Sequence, residues 1–226
     1  MTKDELIKKA IFIQYPKNGT KYVNYEHISK NVYKLPLVDK KMMYDKWYLN
    51  SNHYTTEYHR LYSLPLVFKL LNIDFDANDF TILERNFETF DISIYYPKVE
   101  QHFEIYGFSR DGGEHFDDIT YNDLIHNDSK KDDITEYHRL YKYSHECSRI
   151  INKAPFNNSE RKLLISGDSQ MIPDIAILAC YFKELWYLDK RSNIQLQNKW
   201  SEIEFSDVLI ELNCASEEQY IINNFK

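Results

Sequence analysis

One short stretch of the chain combines residue types that can carry nucleophilic chemistry. Gly167, Asp168 and Ser169 follow the apolar run 162–166 and precede the run 171–183, which has a helical pattern of apolar residues. A serine between a strand and the start of a helix can attack an ester carbonyl, and its own N–H can hold the oxyanion. A serine that only caps the helix also suits this position. The motif alone leaves both roles open.

Glycine usage draws attention to the first residue of this stretch. The chain has five glycines, and Gly167 is the only one after Gly113. In so glycine-poor a chain, a glycine at a strand end indicates a backbone requirement, either a positive φ or the close approach of another group.

A nucleophilic serine needs a base, and the chain has eight histidines. His53 has the most informative context, because it lies just before an apparent helix in 55–72. His59 and His138 fall inside two copies of Thr-Glu-Tyr-His-Arg-Leu-Tyr, and we expect both on helix surfaces. Nothing similar surrounds the second copy, so the twin segments do not predict a structural repeat.

The elements that position these residues are clearest in the last third of the chain. The pattern predicts strands at 162–166, 185–189 and 206–212, alternating with helices at 171–183 and 216–225. This alternation predicts an α/β fold, a three-layer sandwich around a central parallel sheet. Ligands bind beyond the carboxyl ends of such strands, where Ser169 and Asn213 fall.

The first two thirds give fewer signals. Pro65 must kink or split a helix over 55–72. Residues 102–119 are typical of a hairpin that turns at Asp111-Gly112-Gly113. The polar stretch 124–136 is predicted to be a surface loop.

The sequence YLNSNHYTTEYHRLY, residues 48–62, resembles the Asp-x-His-Trp-Thr segment of one branch of the SGNH hydrolase superfamily. That branch contains the alginate O-acetyltransferase-like proteins, and its histidine motif precedes its Gly-Asp-Ser motif, as His53 precedes Ser169 here. The resemblance covers 45–75 and 160–225 and rests on motif order and spacing. It implies a single flavodoxin-like SGNH domain over 1–226, with a variable insertion at 76–160.

The resemblance also implies roles for individual residues. Ser169 is the nucleophile and an oxyanion donor, His53 is the general base, Gly167 shapes the turn, and Asn213 is a further polar group of the site. The family's aspartate two residues before the histidine falls on Ser51, and Tyr54 replaces its tryptophan. Either Ser51 orients His53, or a carboxylate such as Asp45 does so, or catalysis is lost.

The function implied is acyl transfer in surface polysaccharide modification, by a carbohydrate O-acetyltransferase or an acetylesterase. The two activities share an acyl-enzyme, so the residues do not separate them. A catalytically impaired carbohydrate-binding or scaffold protein with the same fold is the alternative that Ser51 favours. A nucleotide-binding or receiver domain is less favoured, because no glycine-rich phosphate loop or acidic cluster at the strand ends is visible.

Net charge, apolar stretches and cysteine usage limit the partners, location and cofactors to be expected. With 28 basic and 35 acidic residues the net charge is −7, which argues against nucleic acid as the main partner. No signal peptide or transmembrane stretch is apparent, so a cytoplasmic location is expected, with no bound cofactor and acetyl-CoA as the candidate acyl donor. The three cysteines, Cys147, Cys180 and Cys214, predict reduced core thiols and no metal site. The sequence does not predict the oligomeric state.

Overall fold

A computed structural model gives the fold. It describes residues 2–16, 22, 24–25, 29, 31–38, 58–87, 90–108, 114–121, 147–167, 171–189 and 202–212. Eight strands form one sheet in the order β2-β1-β10-β8-β9-β7-β5-β6, and β3 pairs with β4 in a separate antiparallel hairpin. The strands are β1 (Ile11–Gln14), β2 (Val32–Lys34), β3 (Phe80–Phe87), β4 (Phe90–Pro97), β5 (His102–Phe108), β6 (Glu114–Thr120), β7 (Cys147–Asn152), β8 (Lys162–Gly167), β9 (Glu184–Asp189) and β10 (Asp207–Leu212).

Five adjacent strands of the large sheet, from β2 to β9, are parallel. The predicted strands 162–166, 185–189 and 206–212 correspond to β8, β9 and β10, and all three lie in this parallel half. The other three strands, β7, β5 and β6, join antiparallel, so the sheet is mixed. The hairpin predicted for 102–119 is the β5–β6 pair, and its predicted turn at 111–113 lies outside the described residues.

Side chains alternate along each strand, so the sheet presents apolar side chains on both faces. Helices cover both of these faces. Ile13, Ile165 and Leu209 point into one core, which also contains residues of the helices α2 (Leu64–Leu70) and α3 (Ile172–Ala179). Phe12, Leu164 and Ile210 point into a second core, which also contains Leu6 of helix α1 (Lys3–Lys9). Each fully buried aliphatic side chain contributes about 1.5–3 kcal/mol to the free energy of unfolding. The three-layer α/β prediction is therefore confirmed.

Pro65 marks a change of helix type, as its position predicted. Residues His59–Ser63 form a π-helical turn, and α2 begins directly after it with Pro65 in its first turn. Proline has no N–H to donate to the preceding turn, so the regular hydrogen-bond ladder cannot run through it. The Leu64 N–H bonds instead to the His59 carbonyl five residues earlier. The wider turn carries two buried polar residues, His59 and Ser63.

The helix predicted over 171–183 is shorter than expected: it ends at Ala179, and Cys180 is its C-cap. Cys180 is a free thiol in the core, as predicted, and burial raises its pKa. The predicted segments at 124–136 and 216–225 and the second heptapeptide copy lie outside the described residues. None of the helices in the described ranges has the length and apolar character of a membrane span.

At the amino end of β9, Glu184 is the centre of an ion pair. Its Oε1 accepts hydrogen bonds from Arg149 Nε at 2.6 Å and from Trp186 Nε1 at 2.7 Å. Burial opposes ionisation of Glu184, but these hydrogen bonds outweigh it and lower its pKa below the ordinary 4.5. Because the folded pKa lies below the unfolded one, the pair stabilises the protein above the unfolded pKa and ceases to do so as the pH falls through the folded value.

We therefore expect Glu184→Gln to be less stable than the wild type near neutral pH, with a difference that shrinks at acidic pH. Urea unfolding near neutral pH and at about pH 3 measures both free energies. An equal stability difference at the two pH values would contradict the ionic role of Glu184.

Candidate functional site

Buried polar side chains collect at the carboxyl edge of the parallel half of the sheet. Tyr15 follows β1 and Glu211 lies near the end of β10, and both are completely buried. Gly167 ends the neighbouring strand β8. This is the edge at which parallel sheets bind ligands, and it is where the sequence predicted the site.

Gly167 lies where two buried side chains closely approach the backbone. A Cβ at this position would lie 2.8 Å from Glu211 Oε2 and 3.1 Å from Met171 Cγ. The φ of Gly167 lies outside the left-handed region, so space rather than backbone conformation explains the glycine. Of the two reasons that the sequence suggested, the structure confirms close approach.

We expect Gly167→Ala to destabilise the fold by about 1–3 kcal/mol, because the added methyl overpacks a site whose neighbours are buried. Chemical denaturation measures the loss. The double variant Gly167→Ala/Glu211→Ala is the matched control, since it removes the carboxylate that the methyl would meet. If Gly167→Ala costs as much stability in the Glu211→Ala background as in the wild type, the contact is not what requires glycine.

Asp174 is the centre of a second buried group on the same face of the sheet. It is the only polar residue of α3 (IPDIAILA), and it points into the core. Its Oδ1 lies 3.1 Å from His59 Nδ1, and its Oδ2 accepts the Ser63 hydroxyl at 2.6 Å. We call Tyr15, His59, Ser63 and Asp174 the buried polar cluster.

Tyr15 connects this cluster to the end of β1. Its hydroxyl lies 2.8 Å from Ser63 Oγ, and because Ser63 donates to Asp174, the phenol is the donor in this bond. The same hydroxyl lies 3.5 Å from Asp174 Oδ2 and 3.5 Å from Met171 Sδ. Burial and the nearby Asp174 and Glu211 raise the pKa of Tyr15 well above its ordinary value. The phenol therefore stays protonated and acts as a hydrogen-bond donor.

The placement of His59 corrects the sequence prediction. We expected it on a helix surface, but only 2% of it is exposed. Its ring turns inward because Asp174, 115 residues away, is the hydrogen-bond partner of Nδ1. Its other nitrogen, Nε2, is buried and has no hydrogen-bond partner among the described residues. One sequence signal was available, namely a lone aspartate in an otherwise apolar helix, which needs a buried partner.

The predicted site residues other than Gly167 lie outside the described residues. These are Ser169, His53, Ser51 and Asn213, together with Asp45. Gly167 is the one predicted site residue that the structure places. In sequence, Ser169 is two residues from both Gly167 and Met171, and His53 is six residues before His59. In the described ranges, no three His, Cys, Asp or Glu side chains come together as metal ligands.

Comparisons with known proteins support the fold. No family model and no curated protein matches the chain. Among solved structures, Bacillus cereus PatB1 with a sulfonyl adduct matches with a TM-score of 0.66 and 15% identity, over 96% of this chain and 86% of that one. A DHHW family protein from Eubacterium siraeum matches with a TM-score of 0.64 and 12% identity, over 96% and 82%. A further PatB1 structure gives 0.63 and 14%, over 96% and 88%. At such identities the likeness shows a shared α/β fold.

Proposed function

We propose that the chain is an acyl-transfer enzyme of the SGNH type, acting on carbohydrate hydroxyls as an O-acetyltransferase or acetylesterase. The observation that carries the proposal is the placement of Gly167. It ends a central parallel strand, four residues before Met171 and the start of α3, and it lies against the buried Glu211. A Gly-Asp-Ser at that point presents a serine at the carboxyl edge of the sheet, where ligands of such folds bind. The fold shared with PatB1 and the order of the two motifs support it.

In the proposed reaction, Ser169 Oγ attacks the acetyl carbonyl while His53 accepts the hydroxyl proton. The Ser169 N–H holds the oxyanion of the tetrahedral intermediate. The leaving alcohol or thiol takes the proton from the imidazolium, and acetyl-Ser169 remains. Water or a sugar hydroxyl then attacks acetyl-Ser169 and passes its proton to His53. The imidazolium returns that proton to Ser169 Oγ as the acyl–oxygen bond breaks, which releases acetic acid or the acetylated sugar and restores the free enzyme. Acetyl-CoA suits the donor role because a thiol leaves readily, and no bound cofactor is required.

Ser51 and Asn213 have supporting roles in this proposal. Ser51 accepts the Nδ1–H of His53 and fixes its tautomer, and Asn213 offers a polar group next to the substrate. Ser51 is also the observation that favours a second function, a carbohydrate-binding protein that keeps the fold and has lost catalysis. Such a protein would bind sugar without forming a covalent intermediate.

A sulfonyl adduct is present in one PatB1 structure, and sulfonyl reagents react covalently with nucleophilic side chains. We therefore expect this chain to react with a sulfonyl fluoride and with p-nitrophenyl acetate. Intact mass measurement and peptide mapping should place both adducts on Ser169, with the buried Ser63 unmodified as an internal control. A folded protein without an adduct, or with one elsewhere, would contradict the enzyme proposal. Acetyl-CoA turnover with and without a sugar acceptor then separates transferase from hydrolase.

A further inference from the structure

We infer that the buried polar cluster positions the chain next to the Gly-Asp-Ser motif relative to the chain segment that follows His53. The inference rests on the proposed function, because Ser169 and His53 are the groups to be aligned. In this inference the four residues of the cluster, Asp174, His59, Ser63 and Tyr15, act by positioning other residues and do not contact the substrate.

The cluster connects the elements next to both groups. Asp174 belongs to the first turn of α3, five residues after Ser169. His59 and Ser63 belong to the π-helical turn, which begins six residues after His53. Both oxygens of one carboxylate are used, one for His59 at 3.1 Å and the other for Ser63 at 2.6 Å. The start of α3 and the π-helical turn are thereby fixed to each other.

The third connection fixes this pair of elements to the sheet. Tyr15 follows β1 directly, and its hydroxyl donates to Ser63 while lying 3.5 Å from Asp174 and from Met171. Met171 is the first described residue after the Gly-Asp-Ser motif, and its Cγ bounds the space at Gly167. The cluster therefore fixes the residues that follow the Gly-Asp-Ser motif, Met171 and the first turn of α3.

Stability alone does not explain a cluster of this composition. A buried carboxylate must lose its hydration, and well-packed apolar residues of similar volume are usually as stable or more stable. The surrounding positions of α3 are apolar, so an apolar side chain at 174 would continue the core. His59 Nε2 adds a desolvated nitrogen with no partner among the described residues. Hydrogen bonds formed at this cost in desolvation free energy are expected where the relative position of the bonded elements matters. A misplacement of reacting groups by about 1 Å can lower a reaction rate about 100-fold.

The ion pair at Glu184 provides a matched control. Glu184 is also a buried carboxylate with two hydrogen-bond donors, but it lies at the amino end of β9, the opposite edge of the sheet. Asp174→Asn and Glu184→Gln are both isosteric, and each replaces a carboxyl group by an amide. They should lower thermal stability in a comparable way and differ in their effect on chemistry.

The experiment measures two quantities for each variant, the melting temperature and the limiting rate constant for acetylation of Ser169 by p-nitrophenyl acetate. Rates are taken well below the lowest melting temperature, with the folded state verified by circular dichroism. We expect Asp174→Asn and His59→Leu to lower the limiting rate constant about 10- to 100-fold, with little change in the half-saturating ester concentration. His59→Asn should retain most of the rate, because its amide N–H can donate to Asp174. Glu184→Gln should keep the wild-type rate constant.

If Asp174→Asn lowers the melting temperature and keeps the wild-type rate constant, the cluster is structural and the inference is wrong. If Asp174→Asn does not fold, Tyr15→Phe decides, since it removes a single hydroxyl. A wild-type rate constant in Tyr15→Phe would then overturn the inference. A wild-type protein that forms no acetyl-Ser169 overturns the proposed function itself, which is a different result from an acetylated protein insensitive to these variants.

Discussion

Ser169→Ala is expected to abolish formation of the acetyl-enzyme and to lower esterase activity by at least about 10³-fold. Alanine removes the oxygen that bonds to the acetyl carbon, so no covalent intermediate can form. Binding and oxyanion stabilisation account for whatever rate remains, as in other serine enzymes without their nucleophile. Stopped-flow release of p-nitrophenol together with intact mass measures the burst and the adduct in one experiment.

Ser166→Ala is the matched control, since Ser166 lies in β8, three residues before Ser169 in the sequence, and is buried. It should keep both the burst and the adduct. Unchanged ester hydrolysis in Ser169→Ala would show that the nucleophile lies elsewhere and that the strand-to-helix serine is only a cap.

Ser51→Asp is expected to raise the acylation rate near neutral pH by about 10- to 100-fold. The Ser51 hydroxyl can accept the Nδ1–H of His53, but it cannot offset the positive charge that forms on the imidazole. Loss of the carboxylate from a serine triad costs up to about 10⁴-fold, so the wild type should be a weak esterase on small activated esters. A new carboxylate also raises the pKa of His53, which shifts the rising limb of the pH–rate profile to higher pH.

Ser51→Asn separates charge from hydrogen bonding, because its amide can accept the same proton without a negative charge. It should give no gain. If Ser51→Asp also leaves the acylation rate unchanged, another carboxylate, such as Asp45, already orients His53. The wild type would then not lack an orienting carboxylate.

The fold could be predicted where the pattern was local. The apolar runs at β8, β9 and β10 alternate with a helix, and their parallel pairing follows from that alternation. Gly167 was informative because glycine is rare in this chain, and its contact with Glu211 explains it. The mixed character of the sheet was not predicted, because the pairing of β7 with β9 leaves no periodic signal in either strand.

The buried polar cluster could not be predicted because its bonds join distant parts of the chain. A helical pattern places His59 on a face, but whether that face is covered depends on α3, far along the sequence. Tyr15 gave no signal of its own among nineteen tyrosines. The roles of Ser169, His53, Ser51 and Asn213 remain predictions from the sequence.

The pairing of β1 with β10 has a consequence for how the chain folds. Ile11 lies opposite Leu209, so the central strands of the parallel half come from nearly opposite ends of the described chain. Loop closure over such a separation is entropically costly and makes folding slow. On the ribosome, the edge of β1 that pairs with β10 stays open until residues 207–212 emerge. Glu211 is part of this segment, so Gly167 gains its carboxylate neighbour only when β10 is in place. A chain stopped before β10 should expose an unpaired edge and aggregate.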